Sequence, residues 1–161
     1  MRETLEWYET ELAIDVGVRR SVSSWKKNRK HSAGLKPKSL FDLDVRGEAA
    51  ECAVAKALGI YWDGSVDTFK SKADLGTNIE IRSTKTDPPK LIVRPSDSSE
   101  KIYICVQDEW LEGQRPTYMI HGWMTGTEAM DDQYLTNFGR KDRPPCYGVP
   151  AENLHDISEK W

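Results

Sequence analysis

The sequence predicts a single α/β (α+β) domain in which two helices precede a mixed sheet. Three observations predict it. Residues 4 to about 31 place apolar side chains at helical spacing with no proline, and a second helical stretch ends at Gly59. Beyond it come several short apolar or alternating runs of strand length, separated by Gly, Pro and Asp. Helices followed by strands is the order of an α+β or α/β layer architecture. No internal repeat and no boundary divides the chain, so residues 1–161 are read as one domain. Residues 1–40 would be an N-terminal basic helix and linker, and 41–161 the core.

In the first helix Leu5, Tyr8, Leu12, Val16, Val22 and Trp25 form the expected buried stripe. Its first half is acidic and its second half basic, which complements the helix dipole at both ends. Gly34 and Pro37 end it, and residues 32–40 are expected to be a lysine-rich linker. Asp44 is the expected N-cap of a second helix, Val45 to Leu58, whose small residues suit close packing on a sheet. Glu51 lies three residues before Val54 and seven before Leu58, so it shares their apolar stripe. A carboxylate there needs either a metal or a basic partner such as Lys56 or Arg46. Glu48, near the helix start, is expected at the surface.

Residues 73–85 carry the most informative pattern. Gly76-Thr77-Asn78 has the chemistry of a three-residue hairpin loop, and Ile79-Glu80-Ile81-Arg82 alternates as a half-buried strand does. With Leu75 and Ile79 flanking the loop, Asp74 stands opposite Glu80. Directly opposed residues have Cβ atoms roughly 4.5–5.5 Å apart, and like charges there are destabilising. A divalent cation between the carboxylates would reverse that sign. Strands are expected at 91–94, 101–107 and 117–124, the second nearly continuous apolar and therefore central. A short helix is expected at 126–130, an edge strand at 146–149, and a terminal turn after Pro150.

Composition narrows the class. Charged residues make up 30% and apolar residues 38% of the chain, which suits a small domain with a modest core, and six Trp with six Tyr are too many for a disordered one. At this length a domain buries about 70% of its unfolded surface. No run reaches the roughly 18 apolar residues of a membrane span, and no signal-peptide pattern opens the chain, so a cytoplasmic protein is expected. Cys52, Cys105 and Cys146 are odd in number and widely spaced, which argues against a disulfide framework and against structural zinc. No glycine-rich phosphate loop is present, so no nucleotide cofactor is expected.

The formal charge of −3 conceals an asymmetry. Between Val16 and Phe41 stand Arg19, Arg20, Lys26, Lys27, Arg29, Lys30, Lys36 and Lys38, with no acidic residue. Such a stretch is either a solvated helix face or a contact for a polyanion. Trp25 and Trp62 would stack on unpaired bases or pack in the core.

Gly47-x-x-x-Glu51 on a helix, then Asp74, then Glu80-x-Arg82 on a strand, resembles the PD-(D/E)XK nuclease superfamily. The helical part is similar to that of archaeal-type Holliday junction resolvases. Most of the chain resembles a group of uncharacterised tailed-phage proteins of that superfamily. The shared phrases are Gly47-Glu-Ala-Ala-Glu51-Cys-Ala-Val-Ala-Lys-Ala-Leu58, Tyr61-Trp-Asp-Gly-Ser-Val-Asp-Thr-Phe-Lys70 and Leu91-Ile-Val-Arg-Pro95, with further likeness at 118–126 and 146–154. The resemblance implies a restriction-endonuclease-like core of helix, three-stranded antiparallel unit, helix and strand. It implies a metal-dependent deoxyribonuclease, a phage protein acting in the cytoplasm of a host cell. Glu51, Asp74, Glu80 and the backbone carbonyl of Ile81 would hold one or two Mg²⁺ or Mn²⁺ ions, and a homodimer would suit a two-fold DNA substrate.

Arg82 departs from the family pattern, which has lysine there. Arginine cannot deprotonate, so it would clamp a phosphate or pair with Asp74 or Glu80, and a base would come from Lys85 or Lys72. The alternative is a catalytically degenerate nuclease fold that binds nucleic acid or a host protein.

Overall fold

The computed structural model describes residues 1–28, 37–66 and 72–161, with 37–41 described by their backbone only. It is a mixed α+β structure. A strand β1 (Arg2–Thr4) leads into helix α1 (Trp7–Lys26), then helix α2 (Pro37–Leu58). Strands β2 (Ile79–Thr84), β3 (Lys90–Val93), β4 (Ile102–Asp108) and β5 (Thr117–Thr125) follow. A short helix α3 (Gly126–Ala129), β6 (Leu135–Thr136) and β7 (Cys146–Pro150) complete the chain, with 3₁₀ turns near the end. Among the described residues no helix is long and apolar enough to cross a membrane.

Four strands form one sheet in the order β1-β5-β4-β2, in which β2 runs parallel to β4 and the other pairs are antiparallel. β3-β7-β6 form a second, antiparallel sheet. Alternation along the central strand β4 sets the layers. Ile104 and Val106 face a core shared with Ala50, Ala53, Val54, Ile79 and Ile81, beneath the helices. Tyr103 and Cys105 face a second core with Leu91, Val93 and Val149, against the three-stranded sheet. β4 is buried on both faces, as its continuous apolar run predicts. The connection from β2 to β4 carries β3 and no helix. The three cysteines are free and buried, and burial pushes the thiols of Cys52 and Cys105 up to about 12.

The helices differ from expectation in three ways. α1 stops at Lys26 because Asn28 adopts a left-handed conformation (φ 48°), which a short amide side chain tolerates and a continuing helix does not. Its buried face is Thr10, Ala13, Gly17 and Ser21, whereas Tyr8, Leu12 and Trp25 are exposed. Small residues win that face because they let α1 approach α2 closely: a Cβ on Gly17 would lie 2.6 Å from the Cα of Val45. α2 begins at Pro37, where a residue without an N–H fits the first turn, so Asp44 is interior. Its carboxylate accepts a hydrogen bond from Ser21 Oγ at 2.5 Å. Residues 37–40 thus belong to a helix, and the remainder of the expected linker, 32–36, lies outside the described residues. β1 was not expected from sequence, because three residues, Arg-Glu-Thr, carry no periodic signal; β5 supplies its register.

Candidate active site

The hairpin forms as its turn chemistry requires. Leu75 and Ile79 exchange both backbone hydrogen bonds, at 3.1 and 3.2 Å, and Gly76 takes the left-handed conformation (φ 57°) that opens the loop. Asp74 therefore stands at the free edge of β2. Its Oδ2 accepts the Ile81 N–H at 2.8 Å. In an extended strand the N–H and C=O of one residue point to the same side, so the Ile81 carbonyl faces the same edge. Burial first, and the charge of Glu80 second, raise the Asp74 carboxyl above its ordinary range.

Glu80 and Arg82 share one face of β2, opposite to Ile79 and Ile81, as period two demands. The Glu80 carboxylate pairs closely with Lys101 Nζ and lies 3.4 Å from Arg82 Nη1. Arg82 also donates to Asp97 at 3.1 Å, and its guanidinium sits over the Tyr103 ring at 5.2 Å. The expected pairing of Arg82 with Glu80 is present, with Asp97 as a further partner. Lys101 was not legible as a site residue, because it is 21 positions from Glu80. The parallel register of β2 and β4, Ile79 opposite Ile102, brings it there.

On the helical side Glu51 is 6% exposed and Glu48 only 2%. Glu48 is therefore not a surface residue: with Gly17 drawing α1 onto α2, this turn of the helix faces the interior. The partner of Glu51 is neither Lys56 nor Arg46 but Arg20. Its Nη1 donates to Glu51 Oε1 at 3.0 Å and its Nη2 to Glu51 Oε2 at 3.3 Å, while Nη1 also contacts Glu48 Oε1. Lys56 instead pairs with Glu3 and Glu9, and Arg46 with Asp42 and Asp108.

Arg20 Nε donates to the Ser65 carbonyl at 2.9 Å. Burial opposes its charge, but Glu51 and Glu48 outweigh burial and raise its pKa. Burial, then repulsion from Glu51, raises the Glu48 carboxyl; burial, then Asp74, raises Glu51. One guanidinium cannot neutralise both acids, so the pair retains a proton at neutral pH. Glu48 Oε2 is buried with no hydrogen-bond partner, as is Trp62 Nε1, which lies near enough to Glu51 to favour its ionised form.

The acids thus form a chain: Glu48 and Glu51 under the helices, Asp74 at the sheet edge, and Glu80 on the far face. Among the described residues no three His, Cys, Asp or Glu side chains are drawn together as a metal site. The donor chemistry nevertheless fits a hard divalent cation: carboxylate oxygens, a backbone carbonyl, and one buried carboxylate oxygen without a partner. Arg20 lies between Glu48 and Glu51, and Lys101 pairs with Glu80.

Lys85 is not brought to this site. It lies past the end of β2 and pairs with Asp42 (3.6 Å) and Asp108 (3.9 Å). Lys72 pairs with Asp63. Of the basic stretch, Arg20 is committed to the carboxylates and Arg19 pairs with Asp15 at 2.9 Å, one turn away. Lys26 and Lys27 are exposed at the end of α1. Arg29, Lys30 and Lys36 lie outside the described residues, and of Lys38 only the backbone is described. Trp25 is 47% exposed, and Trp62 packs half-buried against the core. Comparisons with family models, curated proteins and solved structures gave no match.

Proposed function

We propose that the protein is a metal-dependent phosphodiesterase acting on DNA, in a phage context. One observation carries the reading. Beside β2 the Asp74 carboxylate accepts the Ile81 N–H, Glu80 stands on the adjoining strand face, and burial raises the carboxyls of Glu48, Glu51 and Asp74 above their ordinary range. Buried acids with raised pKa values, held here by one shared guanidinium, are characteristic of sites that recruit a divalent cation. Asp74, Glu80, Glu51 and the Ile81 carbonyl would hold Mg²⁺ or Mn²⁺, which when bound lowers the pKa of a water and polarises the scissile phosphate.

The chain's own groups would do the rest. Arg82, fixed by Asp97 and Tyr103, presents a planar donor fork suited to a phosphodiester. Lys101 supplies, from β4's leading edge, the ammonium that the family pattern places at Arg82, and it would orient the attacking water beside Glu80. Recognition would rest on DNA structure and backbone charge.

A second reading, a degenerate nuclease fold that binds nucleic acid or a host protein, is favoured by a separate observation. Arg20, Lys101 and Arg82 already neutralise much of the acidic chain. Incubation with branched, single-stranded and duplex DNA in Mg²⁺ or Mn²⁺ separates the two. Cleavage lost in Asp74→Ala and Glu80→Ala, and reduced further by Lys101→Ala than by Lys85→Ala, is the expected result. Cleavage that persists in both carboxylate variants would refute the site; binding without cleavage of any substrate would favour the second reading.

A further inference from the structure

Arg20 occupies the place of a cation, and occupies it incompletely. Its guanidinium spans Glu48 and Glu51, donates through Nε to Ser65, and lies close enough to Asp74 to share its charge. Yet Glu48 is only 2% exposed, and its Oε2 has no hydrogen-bond partner among the described residues. Among the described residues Arg20 is the one cation paired with both Glu48 and Glu51, whereas a divalent ion would offer two charges and take the orphaned oxygen as a ligand. The Arg20 side chain is not sealed in: 26% of it is exposed. It projects from α1, two turns before Lys26 and Lys27.

We infer that Arg20 is a displaceable counter-ion. It holds the Glu48–Glu51 pair while the metal is absent and yields to a divalent cation, which Glu48 then joins Glu51 and Asp74 in binding. The released guanidinium takes a phosphodiester oxygen. This inference rests on the metal-dependent reading above. Metal and polyanion each favour the arrangement in which Arg20 has left the acids, so each must strengthen the binding of the other. The coupling would keep the site closed until DNA arrives.

Calorimetric titration of Mn²⁺ into the full chain, wild type against Arg20→Gln and Glu48→Gln, tests this directly. Arg20→Gln is expected to tighten Mn²⁺ binding by about tenfold, within the usual range of coupling between sites. Glu48→Gln is expected to weaken it. Adding a duplex oligonucleotide should tighten Mn²⁺ binding to the wild type and leave Arg20→Gln unchanged. A thermal melt in chelator establishes that each variant is folded; if Arg20→Gln is not, Arg20→Lys, which cannot bridge two carboxylates bidentately, should show the same change at smaller size. Equal Mn²⁺ affinity in the wild type and a folded Arg20 variant would overturn the counter-ion role while leaving the metal reading intact. No Mn²⁺ binding to any of the proteins would overturn both.

Discussion

Replacing Glu48 with Gln should change how stability responds to pH more than it changes stability at any one pH. Burial and repulsion from Glu51 raise the Glu48 carboxyl, and burial with Asp74 raises Glu51, both well above 4.5; the one guanidinium they share leaves one of the two protonated. Between the unfolded and folded values the native protein holds a proton that the unfolded chain has released. Stability is therefore fully present below about pH 4.5 and is lost as pH rises toward the raised folded value. One retained proton gives a slope of about 1.4 kcal/mol per pH unit, so the loss between pH 6 and 8 is about 3 kcal/mol. Glutamine keeps the shape of the protonated acid and never ionises. Its amide can still accept from Arg20 and places a donor where Oε2 is orphaned. Urea denaturation in chelator, followed by tryptophan fluorescence at several pH values, measures the difference. Glu48→Gln should match the wild type near pH 6, exceed it at pH 8, and show a flatter dependence between them. Parallel curves for the two proteins would refute the idea that this pair carries a proton.

Two further outcomes follow from the helices. Gly17→Ala forces a methyl group to 2.6 Å from the Val45 backbone, and such overpacking should lower stability in the same assay by about 1–3 kcal/mol. The packing of α1 on α2 also carries Arg20, so this variant should perturb Mn²⁺ binding as well. Reversing Lys26 and Lys27 to Glu should weaken DNA binding and flatten the plot of log K against log salt by about 0.9 for each phosphate that is no longer neutralised. An unchanged salt slope would assign these lysines to the helix dipole alone.

Much of the strand layout was legible because each segment advertises its own environment. Ile79-Glu80-Ile81-Arg82 alternates and is half-buried; the run from Ile102 to Val106 does not alternate and lies between two layers. Gly76-Thr77-Asn78 forms the loop that its residues favour, and before that loop Asp74 reaches the Ile81 N–H. The apolar stripe of α1 misled because composition there speaks for hydrophobicity, whereas the packed face was chosen by size. Tyr8 and Leu12 are too large for the separation that Gly17 permits.

The sequence by itself determined the hairpin loop that sets Asp74 beside β2 and that Glu51 points inward, since local turn chemistry and helical periodicity act over a few residues. Only the tertiary structure decided what neutralises them. Arg20 reaches Glu51 from 31 positions away and Lys101 reaches Glu80 from 21, through the packing of α1 on α2 and the parallel register of β2 and β4. Those long-range pairings are set by side-chain size and backbone hydrogen bonding elsewhere in the chain, so no motif around the acids announces them.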